Sequence, residues 1–223
     1  MDDLEIQLDE LTRNPSPRVP VSLCLDTSAS MDGTPILELQ DGLKRFFVEL
    51  LENKGARYNA DISVVTFGET AQQLLDFRPI EKQRVPELIA SGRTPMGRAV
   101  ELALDTLELR KRVYQTTGVD YYQPWLVLMT DGQPTDDIAT AVTRVQRLVN
   151  DRKLTVYPIG IGPQADLAAL AAFSPGRAPF RLQGLAFREF FSWLSQSIVR
   201  VSATSVGDDV QMPPVKSWSD SWD

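Results

Sequence analysis

Short, nearly unbroken apolar runs alternate with longer amphipathic stretches along this chain, and that alternation restricts the fold more than any other feature. The run at 19–25, Val-Pro-Val-Ser-Leu-Cys-Leu, suits a strand buried on both faces of a parallel sheet. Similar strands are expected at 61–67, 124–130 and 154–161, with a short last one at 180–182. Between them, Ile36, Leu39, Leu43, Phe46, Phe47 and Leu50 fall at helical spacing, as do Val100, Ala103, Leu104 and Leu107. Further helices are expected at 137–153, 166–173 and 186–202. Such an order gives an α/β fold, a doubly wound and mostly parallel sheet with helices on both faces. A turn at Gly68-Glu69-Thr70 leads into 71–77, which is expected to add one antiparallel edge strand.

Finer expectations follow from local chemistry. Thr34-Pro35 reads as a helix N-cap followed by proline at the first helical position. A helical turn is expected around 85–88, and the helix after Gly97 should fade near Tyr114. Residues 1–16 form an N-terminal arm in which Leu4, Ile6 and Leu8 alternate with charges. It suits a short strand or a helical arm, broken by Asn14-Pro15-Ser16-Pro17. The main domain is expected over 17–205, and 206–223 as a flexible tail. The sharper alternative for that tail is a linear motif that docks on a partner through Trp218 and Trp222.

Charge and composition exclude several function classes. The 223 residues carry a net charge of −7, and their Lys and Arg residues are scattered with no basic cluster in sequence. General affinity for nucleic acid or anionic membrane is therefore not expected. The amino terminus lacks the basic and apolar regions of a secretory signal, and no apolar run approaches the roughly 20 residues that span a bilayer. A soluble cytoplasmic protein is the expectation. With no histidine anywhere, Ser-His-Asp and Cys-His catalysis and His-based metal sites are ruled out. The single Cys24 has no internal disulfide partner and reads as a small buried hydrophobe.

The chemistry concentrates where the first strand stops, at Asp26-Thr27-Ser28-Ala29-Ser30. Asp and Ser at alternating positions supply hard oxygen donors, which suit Mg²⁺, Mn²⁺ or Ca²⁺ rather than Zn²⁺. The bland alternative is a loop that only caps and turns. Two other loops strengthen the metal reading: Thr94 opens a helix, and Asp131 follows a buried strand. Ligands of open α/β sheets bind beyond the carboxyl ends of the strands, so the three loops are expected to converge. If hydroxyls take the first shell and aspartates act through water, the cation stays electrophilic and seeks a carboxylate from outside. Asp32 and Asp136 near the rim read as solvated or capping residues.

The string Asp26-x-Ser28-x-Ser30, with Thr94 in Thr-Pro-Met-Gly and Asp131 in Met-Thr-Asp-Gly, resembles the metal-ion-dependent adhesion site of von Willebrand factor A domains. The resemblance covers roughly 17–205 and implies a Rossmann-like fold. It also implies that Asp26, Ser28, Ser30, Thr94 and Asp131 hold a divalent cation, Mg²⁺ or a similar ion. Ala29 stands where many members have glycine. The helix around 187–197 and the Thr-Asp-Gly-Gln-Pro-Thr-Asp string are similar to the bacterial TerY/YegL-like branch, linked to tellurite resistance and stress response. That branch implies a non-enzymatic cytoplasmic adaptor, with kinase- or phosphatase-like neighbours, that captures an acidic residue of a protein partner. Two rivals stand beside it: a metal-assisted phosphohydrolase with Asp26 as nucleophile, and a purely structural subunit.

Overall fold

In a computed structural model of the chain, residues 10–219 are described. The arm residues Leu4, Ile6 and Leu8, and the tail residue Trp222, lie outside them. Six strands form one sheet in the order β3-β2-β1-β4-β5-β6. They are β1 (Val19–Asp26), β2 (Ala60–Phe67), β3 (Ala71–Pro79), β4 (Trp125–Thr130), β5 (Thr155–Gly160) and β6 (Phe180–Arg181). Every pairing is parallel except β2 with β3, which is the expected antiparallel edge.

Alternation along the strands sends side chains to two cores. Leu23, Leu25, Val127 and Met129 meet α1 (Thr34–Glu52) and α6 (Phe187–Ser202) on one face. Cys24, Leu126, Leu128 and Val156 meet α3 (Met96–Thr117), α4 (Ala139–Asn150) and α5 (Leu167–Ala172) on the other. All eight residues of β1 and all eight of β2 are buried, in keeping with their mainly apolar sequences; the buried Asp61 of β2 is met by Arg110 and Tyr114. Cys24 is fully buried, as expected, and burial drives its thiol pKa far upward.

Several boundaries differ from the sequence reading. Thr34 is the first residue of α1 and not its cap; Gly33, at φ 82°, holds the N-cap position without a side-chain hydrogen bond. The turn expected at 85–88 is not helical. A 3₁₀ turn covers Ile80–Lys82, and the following segment has no regular secondary structure. Gln40 of α1 clamps that segment as a backbone would: it accepts from Leu88 N–H over 2.8 Å and donates to the Pro86 carbonyl over 3.1 Å. Pro86 also biases the preceding Val85 away from helical angles. A short α2 (Lys54–Asn59), capped by the Asn53 side chain, follows α1 directly. α3 runs past Tyr114 to a left-handed Gly118.

The flexible tail needs the largest correction. The end of the described tail reaches the sheet edge, where Ser219 bridges Leu182 in antiparallel fashion and Gln183 N–H donates to the Trp218 carbonyl over 2.9 Å. Trp218 is fully buried among Phe180, Phe190 and Trp193, with ring centroids 5.0 to 5.2 Å away. It docks on its own chain because its large apolar ring finds a preformed aromatic wall there. No helix among the described residues is long and apolar enough to cross a membrane.

Candidate metal centre

Parallel pairing of β1 with β4 sets their carboxyl ends side by side, so Asp26 and Asp131 meet although they are far apart in sequence. Ser28 Oγ lies 3.0 Å from Ser30 Oγ, and Ser30 Oγ donates to Asp131 Oδ1 over 2.8 Å. Three predicted donors thus form one contiguous edge. Asp26 lies behind them with no solvent exposure. Its Oδ1 accepts the Ser28 N–H over 2.8 Å, and its Oδ2 accepts the Thr130 hydroxyl. Burial raises the Asp26 pKa to about 6; the Asp131 charge adds to this, and the hydrogen bonds from Ser28 and Thr130 partly offset it.

Backbone bonds bring in the Thr94 loop. Ser91 N–H donates to the Thr27 carbonyl over 2.8 Å, Ala29 N–H to the Gly92 carbonyl over 3.2 Å, and Arg93 N–H to the Gly68 carbonyl over 3.2 Å. At Gly68 a Cβ would meet the carbonyl oxygens of both Thr27 and Ser91 at 2.5 Å, so only glycine permits this approach. Thr94 and Thr135 then bond reciprocally, Thr94 N–H to Thr135 Oγ1 over 3.1 Å and Thr135 N–H to the Thr94 carbonyl over 2.9 Å. The Thr94 hydroxyl faces the Asp131 turn: a Cβ on Gly132 would sit 3.8 Å from it. Thr94 therefore lies beside the Asp131 turn, and its hydroxyl makes no hydrogen bond with any described residue.

Sequence reasoning passed over two supports, Thr130 and Thr135. Thr130 holds Asp26 Oδ2 and also accepts the Gly132 N–H over 3.2 Å. The signal for it lies in the Thr-Asp-Gly string, where it directly precedes the predicted donor Asp131. Asp136 is a cap, as expected: it accepts the Gly97 N–H over 3.0 Å and the Arg98 N–H over 2.9 Å at the start of α3. Asp32 is exposed.

The donor set fits a small hard cation. Octahedral metal–oxygen bonds of about 2.05 Å place neighbouring ligands about 2.9 Å apart. The spacings of 3.0 Å from Ser28 to Ser30 and 2.8 Å from Ser30 to Asp131 bracket that value. No group of three or more acidic or cysteine side chains positioned for a metal occurs among the described residues, so hydroxyls dominate this set.

The von Willebrand factor type A domain profile matches residues 21–188. No curated protein matches the chain. Among solved structures, proximal thread matrix protein 1 from the mussel byssus superposes with a TM-score of 0.58 at 17% identity, over 90% of this chain and 50% of that one. The form described as having a zinc-occupied MIDAS motif gives 0.55 at 16% identity, over 82% and 48%. The ArnB paralog VWA2 from Sulfolobus acidocaldarius gives 0.54 at 14% identity, over 81% and 45%. These likenesses concern the fold, and the chain spans about half the length of those proteins. With the matched profile covering most of the chain, and the sheet order and donor loops in place, this chain belongs to the von Willebrand factor type A domain family.

Proposed function

We propose that the chain is a non-enzymatic, metal-dependent protein-interaction module. The observation that carries this is the contiguous edge of Ser28, Ser30 and Asp131 oxygens with Asp26 buried behind it. Ser28, Ser30 and the Asp131 carboxylate, with the Thr94 hydroxyl, would hold Mg²⁺, or Mn²⁺ or Ca²⁺. Asp26 and Asp131 supply negative charge, and Asp26 fixes the Ser28 backbone. The bound ion would act as a Lewis acid toward a partner's Asp or Glu carboxylate. A related fold is described with zinc in its MIDAS motif, so a divalent ion at this place has a precedent.

The finer reading is an adaptor of the TerY/YegL-like branch in a bacterial tellurite-resistance or stress-response system, in the cytoplasm. Its support is the sequence of α6 and of the Asp131 loop. The phosphohydrolase alternative asks Asp26 to attack phosphorus. What speaks against it is the engagement of both Asp26 oxygens and the absence of exposure of that residue.

The test is capture of partners by the intact chain from a bacterial lysate in Mg²⁺ and in chelator, beside Asp26→Ala. Retention only with metal and intact Asp26 supports the reading. Capture indifferent to both overturns it. Turnover of a phosphoester that is lost in Asp26→Ala would establish the enzyme instead.

A further inference from the structure

A groove of about 1260 Å³ lies at the pole of the sheet opposite the candidate metal centre. Pro124 precedes β4 and Lys153 precedes β5, so the groove sits at the amino ends of the parallel strands. The last turns of α3 and the exposed face of α4 form its walls. The scattered cations of the sequence gather here, contrary to the expectation of no local basic cluster: Lys111, Arg112, Arg144, Arg147, Arg152 and Lys153. Three are neutralised locally, Lys111 by Glu108, Arg144 by Glu101 and Asp105, and Lys153 by Asp151. The exposed guanidinium groups of Arg112, Arg147 and Arg152 have no ion pair among the described residues. In a chain of net charge −7, uncommitted like charges collected in one groove repel one another and call for an anionic occupant.

Arg152 adds a second observation. It is the one non-glycine residue at positive φ, 56°, among the described residues. It ends α4 in a Schellman-type turn, with Lys153 N–H donating to the Leu148 carbonyl over 2.8 Å and Arg152 N–H to the Val149 carbonyl over 3.0 Å. Glycine takes that position without strain, whereas a Cβ there is unfavourable. The chain holds an arginine at a glycine position, and its side chain lines the groove.

We infer that this groove binds an acidic, amphipathic segment of a protein partner, placing carboxylates on Arg112, Arg147 and Arg152 and an aliphatic side chain on Leu109 and Val206. Leu109 is 60% exposed and Val206 44% exposed, which is apolar surface that a purely electrostatic ligand would not use. Asp105, Glu108 and Asp151 interrupt the positive surface and disfavour a continuous phosphate backbone. The open volume exceeds the roughly 300–1,000 Å³ of small-molecule pockets and suits a segment laid between two helices. Because groove and metal centre occupy opposite poles, an occupant of one does not block the other.

The test uses the full chain in chelator, so that its failure is separate from failure of the metal reading. The probe is a fluorescein-labelled synthetic helix with leucines on one face and glutamates elsewhere, read by anisotropy. Saturable binding is expected, weakened at least about tenfold in Arg112→Glu/Arg147→Glu and unchanged in Asp131→Ala. Arg152→Gly is expected to weaken binding while raising the melting temperature, a combination that a merely structural arginine would not give. A peptide with lysines for glutamates should not bind. Absence of saturable binding, indifference to the charge reversals, or tighter binding of a single-stranded oligonucleotide or pyrophosphate would overturn the proposal.

Discussion

Ser30 donates its hydroxyl to Asp131 Oδ1 over 2.8 Å, a contact between residues 101 positions apart. It closes the oxygen edge only because β1 and β4 are parallel neighbours. Asp131→Ala is therefore expected to leave the fold intact and remove the response to metal. Saturating a binding-competent chain at about a hundredfold excess over Kd adds about 2.7 kcal/mol of stability. Thermal unfolding with and without Mg²⁺ should show that gain in the parent and none in the variant. An equal gain in both would place the ion elsewhere.

Asp26 is expected to trade stability for affinity. Its charge is buried, and its pKa of about 6 lies above the usual carboxylate value, so ionisation at neutral pH costs the folded state about 3 kcal/mol. Asp26→Asn retains an oxygen for the Ser28 N–H and removes the charge. In chelator at neutral pH the variant should be more stable than the parent by about 1–3 kcal/mol. The native carboxyl binds its proton more tightly than the unfolded one does. The parent therefore regains stability as pH falls through about 6, and the difference shrinks. Denaturant melts at two pH values check the sign; a destabilised Asp26→Asn in chelator would refute the argument.

Gly68 controls Thr94 at a distance. Its missing Cβ lets the carbonyls of Thr27 and Ser91 approach, and that approach locates the segment leading to Thr94. Gly68→Ala should cost about 1–3 kcal/mol through overpacking and weaken metal binding as well. Calorimetry with Mg²⁺ reads the second effect, and unchanged affinity would show that the Thr94 loop is positioned without this contact.

Trp218 belongs to the folded domain. Trp218→Ala removes a fully buried indole packed on Phe180, Phe190 and Trp193, and should cost about 3–5 kcal/mol. Removal of residues 206–223 should destabilise at least as much. A truncated chain that melts with the full-length one would restore the free-tail reading.

The sequence alone determined the fold class and which oxygen-bearing side chains follow the buried strands. Runs buried on both faces admit only a covered parallel sheet, as at Val19–Asp26. Asp26, Ser28, Ser30, Thr94 and Asp131 could be named because side-chain chemistry is local. Asp136 reads as a capping residue from its type, but the helix it caps, α3, lies 39 residues away and is chosen by the convergence of the two loops. Tertiary structure alone decided what depends on pairing and packing across long separations. Thr130 reaches Asp26 only through the β1–β4 register, and Thr135 meets Thr94 only when two loops converge. Trp218 looked free because its aromatic wall is assembled from β6 and α6. Arg112, Arg147 and Arg152 looked scattered because only the packing of α3 beside α4 gathers them. Local propensity and hydrophobic period act over a few residues, whereas a site or a charged groove is a coincidence of surfaces that exists only after the sheet has closed.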